Sequence, residues 1–337
     1  MTSEDSRIGQ NVVTVLGSEE ANGRGIDERM SLPRIAVLVP CFNEALTIGK
    51  VVDDFRAVVP QAKIYVFDNN SSDDSAAIAR ASSADVIRVP RQGKGNVVRT
   101  MMSAVDADIY VMVDGDDTYP AEYLPAMMQP VYENRADMVV GARLGANNLG
   151  AFRSLHHIGN QLFCWLITTI FGSDLKDILS GYRVFNRHLA KTLPIISSGF
   201  EVEAEISIQA LYYDFTILEI DIPYRLRPEG SSSKLNTFQD GVRILLKVFH
   251  LLRAYKPLTF FGGMGLLGLL VSVLTGTPAF PMPGTANPGA FSWTGVLHDS
   301  ATVFGVVFTS TGIIVHTLNY RVKELHLVIG KNGSARR

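Results

Sequence analysis

The chain has 337 residues and a formal net charge of -2, with 31 basic against 33 acidic residues. That balance excludes a general nucleic-acid binder, which carries a strong basic excess. Two distant cysteines, Cys41 and Cys164, exclude a disulfide framework or a cysteine-rich metal site and read as reduced thiols of a cytoplasmic domain. Hydrophobic residues make up 47 % and charged residues 19 %, a low charge content for a purely soluble chain, and the C-terminal end is the apolar part.

Residues 1–31 lack an apolar run and are rich in Ser, Glu, Asp, Asn and Gly, so a disordered cytoplasmic tail without a signal peptide is expected there. Arg34 to Pro40 is a short continuous apolar run, the pattern of a strand buried on both faces. Similar runs follow at Lys63–Asp68, Asp85–Val89, Asp108–Asp114 and Asp137–Gly141, and further strands are expected at Gly181–Phe185 and Thr216–Asp221. Helical spacing falls between them, over Glu44–Val58, from Ser72-Asp73-Asp74-Ser75 to about Ala81, over Asn96–Ala107 and over Phe200–Tyr212. Phe152–Phe171 reads as an apolar, interfacial helix. This alternation predicts an α/β domain over 32–235 with a mostly parallel, Rossmann-like sheet, whose ligands bind at the carboxyl ends of the strands.

Thr237–Tyr255 is amphipathic, with Val242, Leu245, Leu246, Phe249 and Leu252 on one side. It is either a domain-packing helix or, as the span that follows it favours, a juxtamembrane helix (236–256) lying on the membrane surface. Two transmembrane helices are expected within 257–320, at about 258–280 and 296–318, the second weakened by His298, Asp299 and His316. Basic residues precede the first span (Arg243, Lys247, Arg253, Lys256) and follow the second in a basic tail, 321–337, while the loop Pro281–Trp293 has none. The positive-inside rule then predicts a hairpin in the cytoplasmic (inner) membrane with the α/β domain in the cytoplasm.

The chemistry concentrates at Asp114-Gly115-Asp116, which ends a hydrophobic strand. Two close carboxylates repel each other, and a hard divalent cation shared with substrate phosphates relieves that repulsion. Asp68 also ends a strand and suits a base or ribose, or an Asx-turn and helix cap with Ser72 or Asp73. Gly93-Lys94-Gly95 opens a helix, where glycines allow close backbone approach and the helix N-terminus favours anions. It is not a Walker loop, because Arg88 stands where the first Gly would be.

Together these elements resemble the family 2 glycosyltransferases with a GT-A fold. The matching residues are Val39-Pro40-Cys41-Phe42-Asn43-Glu44, Asp68, Gly93-Lys94-Gly95 and Asp114-Gly115-Asp116. The later part resembles the polyprenyl-phosphate branch, which includes dolichol-phosphate mannosyltransferase. There the likeness lies in Val140–Arg143, Arg153, Asp177-Ile-Leu-Ser180-Gly181-Tyr182-Arg183, Gly199–Glu205 and Arg227–Thr237.

The resemblance implies inverting transfer of a sugar from a nucleotide-diphosphate sugar to a polyprenyl phosphate, with Mg²⁺ or Mn²⁺. It implies that Pro40, Asn43, Glu44, Asp68, Lys94 and Asp114 hold the donor, and that Asp114 and Asp116 hold the metal. Arg153, Ser180, Arg183 and Lys234 would grip the acceptor phosphate, and Asp114, Asp116 and Arg183 would be catalytic. Members of the branch often carry Gln two residues after the second Asp; here Thr118 stands there and leaves a third protein ligand unassigned. Glu201, Glu203 and Glu205 would order the acceptor loop or support the metal, or else form a solvated helix face. Transfer to a lipid or glycan hydroxyl and a non-catalytic membrane scaffold remain as alternatives, and a homo-oligomer stays open.

Overall fold

In the computed structural model, which describes residues 32–144, 164–165, 167–230, 237–276 and 293–334, the chain begins with strand β1 (Ile35–Cys41). Its apolar run is explained by its neighbours. β2 (Lys63–Asp68) and β4 (Ile109–Met112) pair with it on either side, both parallel. β3 (Asp85–Arg88) pairs in parallel with β2. β5 (Met138–Leu144), β6 (Arg183–Asn186) and β7 (Ile217–Pro223) complete a seven-stranded sheet in the order β3-β2-β1-β4-β6-β5-β7. β6 runs antiparallel to both β4 and β5, whereas β7 is parallel to β5. The expected α/β class holds, and the parallel part of the sheet carries the loops that matter most.

Helices cover the sheet. In α1 (Ile48–Val58) the residues Ile48, Val51, Val52 and Phe55 are buried, and they join Val37, Val39, Val111, Tyr182 and Val184 in one core. Each such side chain contributes roughly 1.5–3 kcal/mol by leaving water. The helix starts at Ile48 rather than Glu44, because Asn43 takes a left-handed backbone (φ 54°) and a turn intervenes. α2 (Ser75–Ala81), α3 (Lys94–Ala104) and α4 (Leu124–Tyr132) follow. α5 (Arg187–Thr192) is capped by the Asn186 side chain, which accepts from the Leu189 N–H at 2.8 Å.

The chain divides into two units. One takes in the described residues of Met1–Leu149, Ser180–Gly199 and Phe215–Lys234, and so the whole sheet. The other takes in those of Gly150–Leu179, Phe200–Asp214 and Leu235–Arg337. The second unit therefore claims α6 (Val202–Tyr212), which lies within the 32–235 span read as one domain. The tail 1–31, Arg153, Lys234, residues 281–292 of the connecting loop and most of the Phe152–Phe171 segment lie outside the described residues.

In the second unit, α7 (Thr237–Tyr255) has two apolar stripes rather than one. Ile244, Val248, Leu251 and Leu252 are buried, while Val242, Leu245, Leu246 and Phe249 are exposed. α8 (Pro257–Thr275) and α9 (Trp293–Ser334) are long and apolar enough to cross a membrane, and only 17 % of the apolar window of each is buried. Their mutual face is made of small residues. A Cβ on Gly265 would lie 2.8 Å from the Gly305 carbonyl oxygen, and one on Gly312 would lie 3.2 Å from the Gly262 nitrogen. Ser272 meets the Thr302 hydroxyl at 2.6 Å, and its carbonyl is 2.8 Å from His298 Nδ1, so the two helices run antiparallel as a hairpin. Leu266, Leu270, Leu274, Val306, Ile313 and Leu318 point outward instead. Such packing suits helices in lipid, where close backbone approach replaces the hydrophobic drive. α9 continues to Ser334, so the expected basic tail is helical over most of its length.

Gly265→Leu should wedge the hairpin apart and destabilise the detergent-solubilised protein by about 1–3 kcal/mol. An unchanged melting temperature would refute the close approach of α8 and α9.

Candidate active site

Parallel pairing brings the ends of β1 and β2 level, with Cys41 opposite Asp68. Side chains then lace the two following loops together. The Asn43 N–H donates to Ser71 Oγ (3.0 Å), and the Ser72 N–H donates to Asn43 Oδ1 (2.8 Å). The Glu44 N–H donates to Ser75 Oγ (2.8 Å), and the Ala45 N–H donates to Asp73 Oδ2 (3.1 Å). Asp68 is buried and its Oδ1 accepts from the Ser71 N–H at 3.1 Å, which is the Asx-turn expected of it. Asp73 Oδ1 accepts from the Ser75 N–H at 3.0 Å just ahead of the next helix, whose N-cap position is Asp74. Pro40, Asn43, Glu44 and Asp68 are thus gathered at one edge of the sheet. Cys41 is buried there, and burial pushes its thiol up to about 12, so it supplies no nucleophile.

Asn69 is a residue the sequence did not single out. Its Nδ2 donates to the carbonyls of Val89 (3.0 Å) and Arg91 (2.9 Å), and its Oδ1 accepts from the Gly93 N–H (2.7 Å). It fixes the approach to Gly93-Lys94-Gly95, whose expected role needs correction. The close approach at those glycines is made by the chain itself. A Cβ on Gly93 would fall on the Ser198 carbonyl and one on Gly95 on the Ser197 carbonyl. The Gly95 N–H donates to the carbonyls of Ser198 and Gly199, both at 3.1 Å. Arg99 holds the same segment through the Ile195 carbonyl at 2.7 Å. With the N–H groups of Gly93 and Gly95 engaged, this helix end offers an anion little more than Lys94. Lys94 is directed into the site, with Nζ 2.5 Å from Asp114 Oδ1.

The Asp114–Asp117 turn follows β4 and is held from several sides. The Thr47 hydroxyl donates to the Gly115 carbonyl at 2.6 Å, inside the protein. Asp117 adopts a left-handed backbone (φ 57°) and pairs with Lys50 at 2.9 Å. Asp116 is 4 % exposed. Its Oδ1 accepts from the Thr118 hydroxyl (2.5 Å) and the Thr118 N–H (3.2 Å), so Thr118 supports Asp116 from behind. Its Oδ2 lies 2.5 Å from Arg227 Nη2, and Arg227 Nη1 lies 3.5 Å from Glu44 Oε1. Burial raises the Asp116 carboxyl above its ordinary range and the charge of Asp114 adds to that, while Arg227 and Thr118 oppose it.

The antiparallel β6 explains the Ser180-Gly181-Tyr182-Arg183 run. Arg183 pairs with Met112, and the strand's approach brings Gly181 beside Asp114, whose carboxylate a Cβ at Gly181 would strike. The Gly181 N–H donates to Tyr119 Oη at 3.0 Å. Ser180 and Arg183, expected on the acceptor phosphate, are both buried. The Ser180 hydroxyl donates to the Gly141 carbonyl (2.6 Å), and Arg183 Nε donates to the Ser180 carbonyl (2.9 Å). Their hydrogen bonds shape the strand that backs Asp114. In the other unit, Glu203 and Glu205 are also buried, with Lys247 Nζ 3.4 Å from Glu205 Oε1, so they are no solvated face.

Among the described residues no cluster of three His, Cys, Asp or Glu side chains could hold a metal. Asp114 and Asp116 form a carboxylate pair. That set fits a hard divalent ion which takes its remaining oxygens from a diphosphate and water, as Mg²⁺ commonly does.

Known proteins resemble this chain in sequence and in fold. The profile described as Glycosyl transferase family 2 matches residues 36–193. Glycosyltransferase AglJ of Haloferax volcanii is 30 % identical over 298 residues, covering 87 % of this chain and 94 % of the relative. The chain belongs to glycosyl transferase family 2. Protein RfbJ of Shigella flexneri is 52 % identical over 122 residues, 36 % of this chain and 95 % of that one. A dolichyl-phosphate hexose transferase of Haloferax volcanii is 31 % identical over 212 residues, 62 % of this chain and 90 % of the relative. In fold, the chain resembles glucosyl-3-phosphoglycerate synthase of Mycobacterium tuberculosis, solved with Mn²⁺ and UDP (TM-score 0.53, 22 % identity, 66 % of this chain and 80 % of that one). The protein is a family 2 glycosyltransferase with a GT-A type of sheet.

Gly181→Ala should drive the Asp114 carboxylate from its place and remove most sugar transfer while the fold persists. Gly241→Ala, which opens onto space, is the control. Equal activity of the two variants would show that Gly181 does not shape the site.

Proposed function

We propose that this glycosyltransferase moves a sugar from a nucleotide-diphosphate sugar to a polyprenyl phosphate, at the cytoplasmic face of a membrane. The observation that carries the reading is the Asp114/Asp116 pair, Asp116 buried and Asp114 partly so, beside two cations at the loop edge where donor residues gather. The lipid-phosphate acceptor is supported by the dolichyl-phosphate hexose transferase among the relatives and by the exposed apolar hairpin. The crystallised fold neighbour with Mn²⁺ and UDP is consistent with the same donor class. Basic residues at both cytoplasmic ends of the hairpin, such as Lys256 and Lys323, support the orientation.

In this reading Pro40, Asn43, Glu44 and Asp68 seat the nucleotide, and Asp114 and Asp116 hold Mg²⁺ or Mn²⁺. A divalent cation there neutralises charge on the departing diphosphate. Lys94 adds a fixed positive charge where that negative charge develops. The acceptor phosphate oxygen forms a bond to the anomeric carbon as the bond to the diphosphate oxygen breaks. Because the phosphate is already anionic, it needs no general base, unlike a sugar hydroxyl. Arg153, Ser180, Arg183 and Lys234 are assigned to that phosphate by the resemblance to the polyprenyl-phosphate branch, guanidinium groups matching phosphate geometry.

The test is a donor screen on the purified protein in detergent, with undecaprenyl phosphate and Mg²⁺ or Mn²⁺, with and without EDTA. An EDTA-sensitive lipid-linked product is expected from one donor. Product formed only on a hydroxyl acceptor would overturn the lipid-phosphate assignment. Asp116→Asn should lower turnover on the order of a hundredfold or more with the fold retained, and wild-type rates in that variant would remove Asp116 from the metal site.

A further inference from the structure

We infer that Arg227 competes with the divalent cation for Asp116, so that the Asp114/Asp116 pair accepts metal readily only together with a diphosphate. This rests on the proposed reading of Asp114 and Asp116 as the metal site. Geometry carries it. Thr118 engages Asp116 Oδ1 through both its N–H and its hydroxyl, which leaves Oδ2 as the oxygen able to face a ligand. Arg227 Nη2 stands 2.5 Å from that oxygen. The Asp116 side chain is 5 % exposed and that of Arg227 22 %, so the pair is screened little by water. The same guanidinium reaches Glu44, and Lys94 stands on Asp114 Oδ1. Each carboxylate of the pair therefore already has a cation at a position a metal would use.

Charge balance gives the direction. Three carboxylates, Glu44, Asp114 and Asp116, face two cations, Lys94 and Arg227. A divalent ion arriving alone would make this largely enclosed cluster net positive and would have to displace a charge-assisted bond. A diphosphate arriving with it supplies the missing negative charge and gives the guanidinium an alternative anionic partner that it can grip in bidentate fashion. The backbone need not move for this exchange, because the Arg225 N–H is fixed to the Thr118 carbonyl at 2.9 Å, two residues before Arg227. Arg227 is thus a positioning residue that couples the two ligands, and the coupling is reciprocal by linkage.

The test reads Mn²⁺ directly, by the EPR signal of the free ion titrated with the full-length protein in detergent. Arg227→Gln should bind Mn²⁺ alone on the order of tenfold tighter than wild type, the value of one charge-assisted bond. Arg227→Lys, which keeps the charge, should stay near wild type. Asp116→Asn combined with Arg227→Gln should erase the gain. Equal Mn²⁺ affinity of wild type and folded Arg227→Gln would overturn the competition while leaving the metal assignment to the EDTA test. A gain that survives in the double variant would place the ion elsewhere and overturn the competition and the metal site together. Circular dichroism of each variant separates these results from misfolding.

Discussion

Two carboxylates stand at the end of β4 in surroundings that penalise negative charge, and the neighbouring chain is arranged around that repulsion. Thr118 and Thr47 hold the turn through hydrogen bonds, one to the Asp116 carboxylate and one to the Gly115 carbonyl. Lys94 and Arg227 supply opposite charge, one from before and one from after the acidic pair in the sequence. Gly181 keeps clear the space that the Asp114 carboxylate fills. None of these groups is unusual by itself. Their common object is a pair of close carboxylates, of which the buried Asp116 is the one whose charge the surroundings penalise most.

The sheet topology is what lets distant residues share that object. Parallel pairing of β1, β2 and β4 places three loops at one edge. The reversed β6 then delivers a fourth segment, Ser180–Tyr182, into the same edge from the opposite direction. A fully parallel sheet would bring a strand's carboxyl end there, and the glycine that Asp114 requires would have to come from a different loop.

Much of this was legible in the residues, and the reasons for the rest are physical. Strands buried on both faces announce themselves as apolar runs, so β1, β2 and β4 were read within a residue or two of their bounds. Strand direction leaves no such mark: Arg183-Val-Phe-Asn186 has the same alternation whichever way it runs. Glycines at 93 and 95 report that something approaches closely, and pattern alone could not say that it was the Ser197–Gly199 backbone. Glu203 and Glu205 look solvated because a charge is polar in any pattern, and Lys247 comes only on another helix. Arg227 was visible within its motif, but its partner Asp116 lies more than a hundred residues away. Hydropathy marked the apolar part of α9 but not its end, since the helix continues into polar sequence to Ser334.

That continuation has a mechanical meaning. At 1.5 Å per residue, the 42 residues of α9 make a rod of about 63 Å, roughly twice the hydrocarbon thickness of a bilayer. Beyond its apolar stretch the rod carries Asn319, bonded to the Ala254 carbonyl of α7, and Lys323, bonded to the Tyr212 carbonyl (2.8 Å) and to Asp214 (2.5 Å) at the end of α6. These ties sit about one turn apart on one stiff element. In a membrane they would set the height at which α6 and α7 ride above the lipid surface, as notches on a strut, and a change in bilayer thickness would reach those helices as a change in tilt.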